Sequence, residues 1–211
     1  MVTFVETSLE KLIQINNIAI MADITYPEIA AQYDFYVKLL AERKSVFEDV
    51  IEVSGVDGNN KNFLAKDSIV KHISINDELV LIVNVRIANY QYFQFKLRCK
   101  KLSGVPFFRY DSDGETHRNY DDNIPLAEQQ ITTPHFHYFT KEGKCFAYKT
   151  DKLLEPREQK ALEDIGICIA HFCDESNIRL GDNDYPEISI TYGLGLQLIE
   201  NDPLKNIQFT S

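Results

Sequence analysis

No run of about 18 consecutive apolar residues occurs in this sequence, which excludes a membrane-spanning helix. The opening residues, Met1-Val-Thr-Phe-Val-Glu6, lack the basic and then apolar order of a secretory signal, so the expectation is a cytoplasmic protein. The four cysteines, Cys99, Cys145, Cys168 and Cys173, form no Cys-x-x-Cys pair and no zinc-ribbon spacing. In a reducing compartment they read as small buried hydrophobes. There is no Walker-type glycine loop, no dinucleotide fingerprint and no Gly-x-Ser-x-Gly elbow. Internal repeats and low-complexity segments are absent as well.

What is present is an ordinary globular composition, 44% hydrophobic and 26% charged. A chain of 211 residues can bury one complete core, and two full domains would be cramped. The formal net charge is −10. A repulsive field of that sign works against broad, sequence-independent binding to a phosphate backbone. It leaves room for a local basic patch, and it suits an acidic face that meets a basic protein partner.

The chain is read as a single domain over 1–211. Thr7-Ser-Leu-Glu10 has the form of a capping box, and Leu9, Leu12, Ile13 and Ile20 follow at helical spacing to about Asp23. Thr25-Tyr-Pro27-Glu28 repeats the start signal, and Ile29, Tyr33, Tyr36, Val37, Leu40, Phe47, Val50 and Ile51 predict a long second helix to roughly Glu52. Together these give a helical hairpin over 1–53. From Ser68 the period changes to two, and 68–149 reads as an antiparallel sheet. Leu79, Leu81, Val83, Val85 and Ile87 share one face, as do Phe93, Phe95, Leu97 and Cys99 on the return strand. The opposite face of that hairpin carries the ladder Tyr92, Gln94, Lys96, Arg98 and Lys100. Val105–Asp111 is a third strand with Arg109 and Asp111 on one side and Phe108 and Tyr110 on the other. A polar loop, 111–130, leads to a fourth strand, Pro134–Thr140, and Lys141-Glu-Gly143 turns into a fifth. A helix over 156–178 and a final strand over 187–199 complete an α+β fold, a helical hairpin packed on a mainly antiparallel sheet.

Three of the five histidines fall between Val105 and Lys149. His135 and His137, two apart on a strand, share a face with imidazoles about 6–7 Å apart. That spacing suits two ligands of one metal ion or two groups flanking one phosphate. The plain alternative is a pair that packs or hydrogen-bonds with its neighbours. If the third and fourth strands are adjacent, Arg109, Asp111, His117, His135 and His137 converge at one end of the sheet. One chemistry for that convergence is metal-independent phosphodiester cleavage, most easily of RNA. One imidazole would take the 2′-hydroxyl proton and another would protonate the leaving oxygen, while Arg109 with Lys96 or Arg98 stabilises the phosphorane. The other is a metal held by His135 and His137 with His117 or Asp111. The ladder Tyr92, Lys96 and Arg98 offers rings and charges for a single-stranded nucleic acid or another phosphate-bearing ligand, or is simply a solvated face. His171 is expected in a surface pair with Glu175, and His72 is expected to be incidental.

The segment from about Leu79 to Ile178 resembles a family of bacterial proteins from prophage-like neighbourhoods, a domain of unknown function. The residues that carry the resemblance are Arg109-Tyr-Asp111, Gly114, His117, Asn119, Pro134-His135-Phe136-His137, Gly143 and Phe146-Ala147, with the helix up to Asn177-Ile178. Glu115 and Tyr120 stand where the family pattern has proline, Phe136 where it has leucine, and Phe146 where it has tryptophan. The resemblance implies a shared histidine site and supplies no activity. A weaker likeness, in Arg109-Tyr-Asp111 and the glycine before His117, is to small toxins of bacterial toxin–antitoxin pairs and tilts the ligand toward RNA. The competing expectation is a non-enzymatic, antitoxin-like or anti-defence protein whose acidic surface masks a partner.

Overall fold

The computed structural model describes residues 24–191. The helix expected over 9–23 and the end of the final strand lie outside those residues. The chain enters through two short helices, α1 (Pro27–Ala31) and α2 (Tyr33–Ala41), which bury Ile29, Tyr36 and Leu39. The long second helix of the sequence reading is therefore corrected: it breaks at Gln32 and stops at Ala41. Beyond it Lys44–Val46 is strand β1 and Val50–Val53 is strand β2. Val50, Ile51 and Val53 are β-branched, and burial alternates along β2, with Ile51 and Val53 inside. Lys44 closes the helix end. Its Nζ donates to the carbonyls of Leu39, Leu40 and Glu42 at 2.6, 3.0 and 2.8 Å, groups that the missing next turn leaves without donors.

After β3 (Gly55–Val56) come the long strands β4 (Phe63–His72), β5 (Leu79–Arg86) and β6 (Asn89–Cys99). Next are β7 (Phe108–Asp111), β8 (His117–Arg118), β9 (Gln130–Ile131), β10 (His135–Phe139) and β11 (Cys145–Tyr148). Helices α3 (Asp151–Leu154), α4 (Pro156–Ala161) and α5 (Ile165–Glu175) precede β12 (Ile178–Leu180) and β13 (Glu187–Ile190). The main sheet runs β11-β10-β7-β6-β5-β4-β1-β12, with β3 paired to β4. Its pairs are antiparallel except β1 with β12. The α+β class and the mainly antiparallel sheet are as the sequence suggests. The sheet reaches further back than Ser68, because β1, β3 and the start of β4 all join it.

One face of the sheet is the core. Phe93, Phe95, Leu97 and Cys99 are buried, as are Phe108, Tyr110 and Phe136 on the neighbouring strands. Against them lies α5, whose Phe172 ring sits 5.3 Å from Phe95, 5.6 Å from Phe108 and 6.3 Å from Phe136. The helix expected to run unbroken from Pro156 is interrupted between Leu162 and Asp164. Asp164 N-caps the second piece, accepting from the amides of Gly166 and Ile167. Ala161, at the end of the first piece, is exposed. His171 is corrected too: it is buried, bonds to the Thr150 hydroxyl at 2.9 Å and meets Phe136 edge-on, while Glu175 takes Tyr148 instead. Among the described residues no helix is long and apolar enough to cross a membrane.

Candidate functional site

The site grows from strand alternation on two adjacent strands. In β7 and β10 the aromatic residues Phe108, Tyr110 and Phe136 turn to the core, which forces Arg109, Asp111, His135 and His137 onto the other face. Antiparallel pairing sets His135 opposite Asp111 and His137 opposite Arg109. On the far side of β7, strand β6 brings Gln94 opposite Asp111 and Lys96 opposite Arg109. His117 arrives on β8, which pairs with β9 and lies over β11. Its Nε2 donates to the Cys145 carbonyl at 3.0 Å, and its ring stands 4.8 Å from that of His137. Because a carbonyl only accepts, the Nε2 of His117 carries the proton and Nδ1 is left as the lone pair.

The expected convergence of Arg109, Asp111, His117, His135 and His137 is therefore present, at closer quarters than pleat spacing alone requires. The rings of His135 and His137 are 4.5 Å apart, and their Nε2 atoms 2.8 Å. Both lean toward Asp111. His137 Nε2 lies 2.9 Å from Asp111 Oδ2, and His135 Nε2 lies 3.8 Å from the same oxygen. Arg109 adds its Nη2 at 2.8 Å from His137 Nε2 and its Nε at 3.0 Å from Asp111 Oδ2. These groups face a hollow of about 440 Å³ walled by Tyr92, Gln94 and the loop from Asp113 to His117. His135 and His137 are buried, whereas the Arg109 side chain is 36% exposed.

Burial sets the proton affinities. It lowers the pKa of all three imidazoles below the ordinary histidine value, His137 to about 4. Near neutral pH they are neutral bases and ligands. Burial also opposes the Asp111 carboxylate, yet the hydrogen bond with His137 and the charge of Arg109 outweigh it and hold that carboxyl below the usual range. Burial pulls Lys96 down, against the attraction of Asp111. It pushes the Cys145 thiol up to about 11, which removes it as a thiolate nucleophile.

The ladder divides. Tyr92 lines the hollow, edge-on to Phe63 and under the guanidinium of Arg86. Lys96 is beside the site and bonds to Asn84 at 2.9 Å. Arg98, expected with them, is not brought in: it lies against Asp67 at 3.4 Å. The 111–130 loop is organised by its own amides. Gln129 donates to the carbonyls of Asp121 and Ile124, and Asn119 exchanges two bonds with Ala147 on β11. Two contributors were missed by sequence reasoning. The Cys145 carbonyl has no sequence signature at all, while Gln94 was visible only as a polar rung of the ladder.

A family model described as a family of unknown function, DUF6978, matches residues 34–178, a span that contains every residue of the cluster. No curated protein and no solved structure matches the chain.

Proposed function

The chain belongs to the DUF6978 family, a family of unknown function, and from that premise we propose that the hollow binds a phosphate-bearing anion, with a single-stranded RNA phosphodiester as the favoured ligand. The observation that carries this reading is the Arg109 side chain, 36% exposed and lining a hollow floored by imidazoles, with Lys96 opposite it in register. A planar, permanently charged fork is suited to phosphate oxygens. Tyr92 offers a ring on which a base can stack. His117, with its lone pair on Nδ1, is suited to take a proton from an attacking hydroxyl. The second half of an acid–base pair is less well supplied, since all three imidazoles are held below the ordinary histidine pKa. Anion binding asks only for the cation and the ring already in place, whereas cleavage asks for an acid as well. A bacterial, prophage-like setting belongs to the reading on the strength of the sequence resemblance.

The test is affinity for inorganic phosphate and for a short single-stranded RNA. Arg109→Met should weaken both at least tenfold with an unchanged circular dichroism spectrum, and Arg98→Met should leave both as they are. Equal binding by Arg109→Met would remove the proposal. The net charge of −10 favours one rival, a non-enzymatic protein whose acidic surface masks a basic partner. On that rival reading, a stoichiometric protein partner co-purifies, and alanine at His117, His135 and His137 leaves it bound.

A further inference from the structure

We propose that Asp111, His135 and His137 form a binding site for one divalent first-row transition ion of the zinc type. Three potential ligand atoms, Asp111 Oδ2 and the two Nε2 atoms, stand 2.8, 2.9 and 3.8 Å apart. Nitrogen and oxygen ligands about 2.0–2.2 Å from a shared ion are themselves about 3–3.5 Å apart at tetrahedral or octahedral angles. Two of the three pairs thus need to part, and the His135–Asp111 pair to close, by a few tenths of an ångström around a common centre.

Hydrogen bonding alone does not account for this crowding. His137 Nε2 has three close neighbours: His135 Nε2, Asp111 Oδ2 and Arg109 Nη2. A protonated Nε2 can donate to Asp111, but then it faces the Arg109 N–H donor to donor. An unprotonated Nε2 can accept from Arg109, but then its lone pair faces the carboxylate oxygen. No tautomer satisfies all three contacts. A cation at the centre turns the two nitrogen lone pairs and the carboxylate toward one positive charge, and the partly exposed Arg109 would move aside to make room for it. The second oxygen, Asp111 Oδ1, is buried and has no hydrogen-bond partner among the described residues. It is available either to that guanidinium or as a further ligand.

Two imidazoles and one carboxylate leave positions on the ion open to an outside ligand. A second set within reach, His117, His137 and Cys145, is less suited. In it burial holds the Cys145 thiol protonated, and an ion there would first have to displace that proton. The inference rests on the reading above in one respect: an open ion beside Arg109 gives a bound phosphate a second positive partner.

The experiment is calorimetric titration of the chelator-treated, dialysed protein with Zn²⁺, with Mg²⁺ as the control. The expected result is one Zn²⁺ per chain and no Mg²⁺ heat, with affinity at least 100-fold lower in Asp111→Ala and in His135→Ala and unchanged in Arg98→Met. A thermal midpoint of the unmodified protein that rises with Zn²⁺ concentration supports the site without relying on the variants. Absence of Zn²⁺ binding overturns the proposal, as does equal binding by both alanine variants. Substitution with Co²⁺ should show no sulfur-to-metal charge-transfer band; such a band would move the site to Cys145 and overturn the assignment. Phosphate titrated with and without chelator separates the two claims. Phosphate binding without Zn²⁺ binding removes the ion and keeps the anion site, and Zn²⁺ binding without phosphate binding does the reverse.

Discussion

Single residues in this protein owe their chemistry to which side of a sheet or helix they fall on. Period two is a strict rule, so the shared face of Arg109 with Asp111, and of His135 with His137, was legible before any coordinates. His171 was not, because α5 is covered over more of its circumference than its apolar stripe suggests. Burial there lowers the His171 pKa to about 4; Lys152 adds to the shift and Asp174 opposes it. Its Nδ1 has no hydrogen-bond partner among the described residues, so an imidazolium would hold an unmet N–H in the core. His72 is lowered as well, chiefly by burial, where it donates to the Lys38 carbonyl and accepts from the Ser74 amide. Both groups are depressed in the fold relative to about 6.5 in the unfolded chain. The unfolded chain therefore takes up protons first, and the stability they contribute is complete above pH 6.5 and lost as pH falls toward 4. Urea midpoints should decline over that window, and His171→Gln should make the decline shallower. A midpoint independent of pH between 6.5 and 4 would contradict this account.

At the scale of elements, long strands and their hairpins were readable, and short or interrupted elements were not. Strands β5 and β6 run for eight and eleven residues, and burial alternates without a break along β6 from Tyr92 to Cys99, enough to outvote any competing period. The stretch from Lys44 to Val53 holds two strands of three and four residues, and its apolar positions fit a helix almost as well. What decides between them is distant: β1 is claimed by β4 on one side and β12 on the other, and no local pattern announces partners so far along the chain. Gly143 shows the opposite case, a single residue visible in sequence whose reason lies in packing. It has φ +78°, and a Cβ there would fall on the Tyr26 carbonyl oxygen. The same turn receives the Tyr26 amide at 2.8 Å, which ties the hairpin that carries Cys145 to the start of the described chain. Gly143→Ala should cost about 1–2 kcal/mol from the backbone conformation alone, and more from the clash. Chemical denaturation measures it. A change below about 0.5 kcal/mol, the range of an ordinary surface substitution, would mean that the turn is not held against Tyr26.

For the molecule as a whole, the contrast that matters is between a net charge of −10 and a site that holds Arg109, with Lys96 opposite it on β6. A polyanion approaching such a chain meets repulsion at long range and attraction only within the hollow. Salt screens both, over about 8 Å at physiological strength, so the two effects oppose each other in the observed affinity. A conventional nucleic-acid binder releases many counterions and loses affinity steeply as salt rises. Here two cationic contacts, at about 0.7 each for a single strand, limit the slope of log K against log salt to about −1.4. Relief of the long-range repulsion makes it shallower still. Binding of a short single-stranded RNA measured across a salt series should therefore show a slope between about −1.5 and zero. Arg109→Met should remove about half of it along with most of the affinity. A slope of about −4 or steeper would require a basic tract elsewhere on the chain, and the hollow over β7 and β10 would then not be where the anion is held.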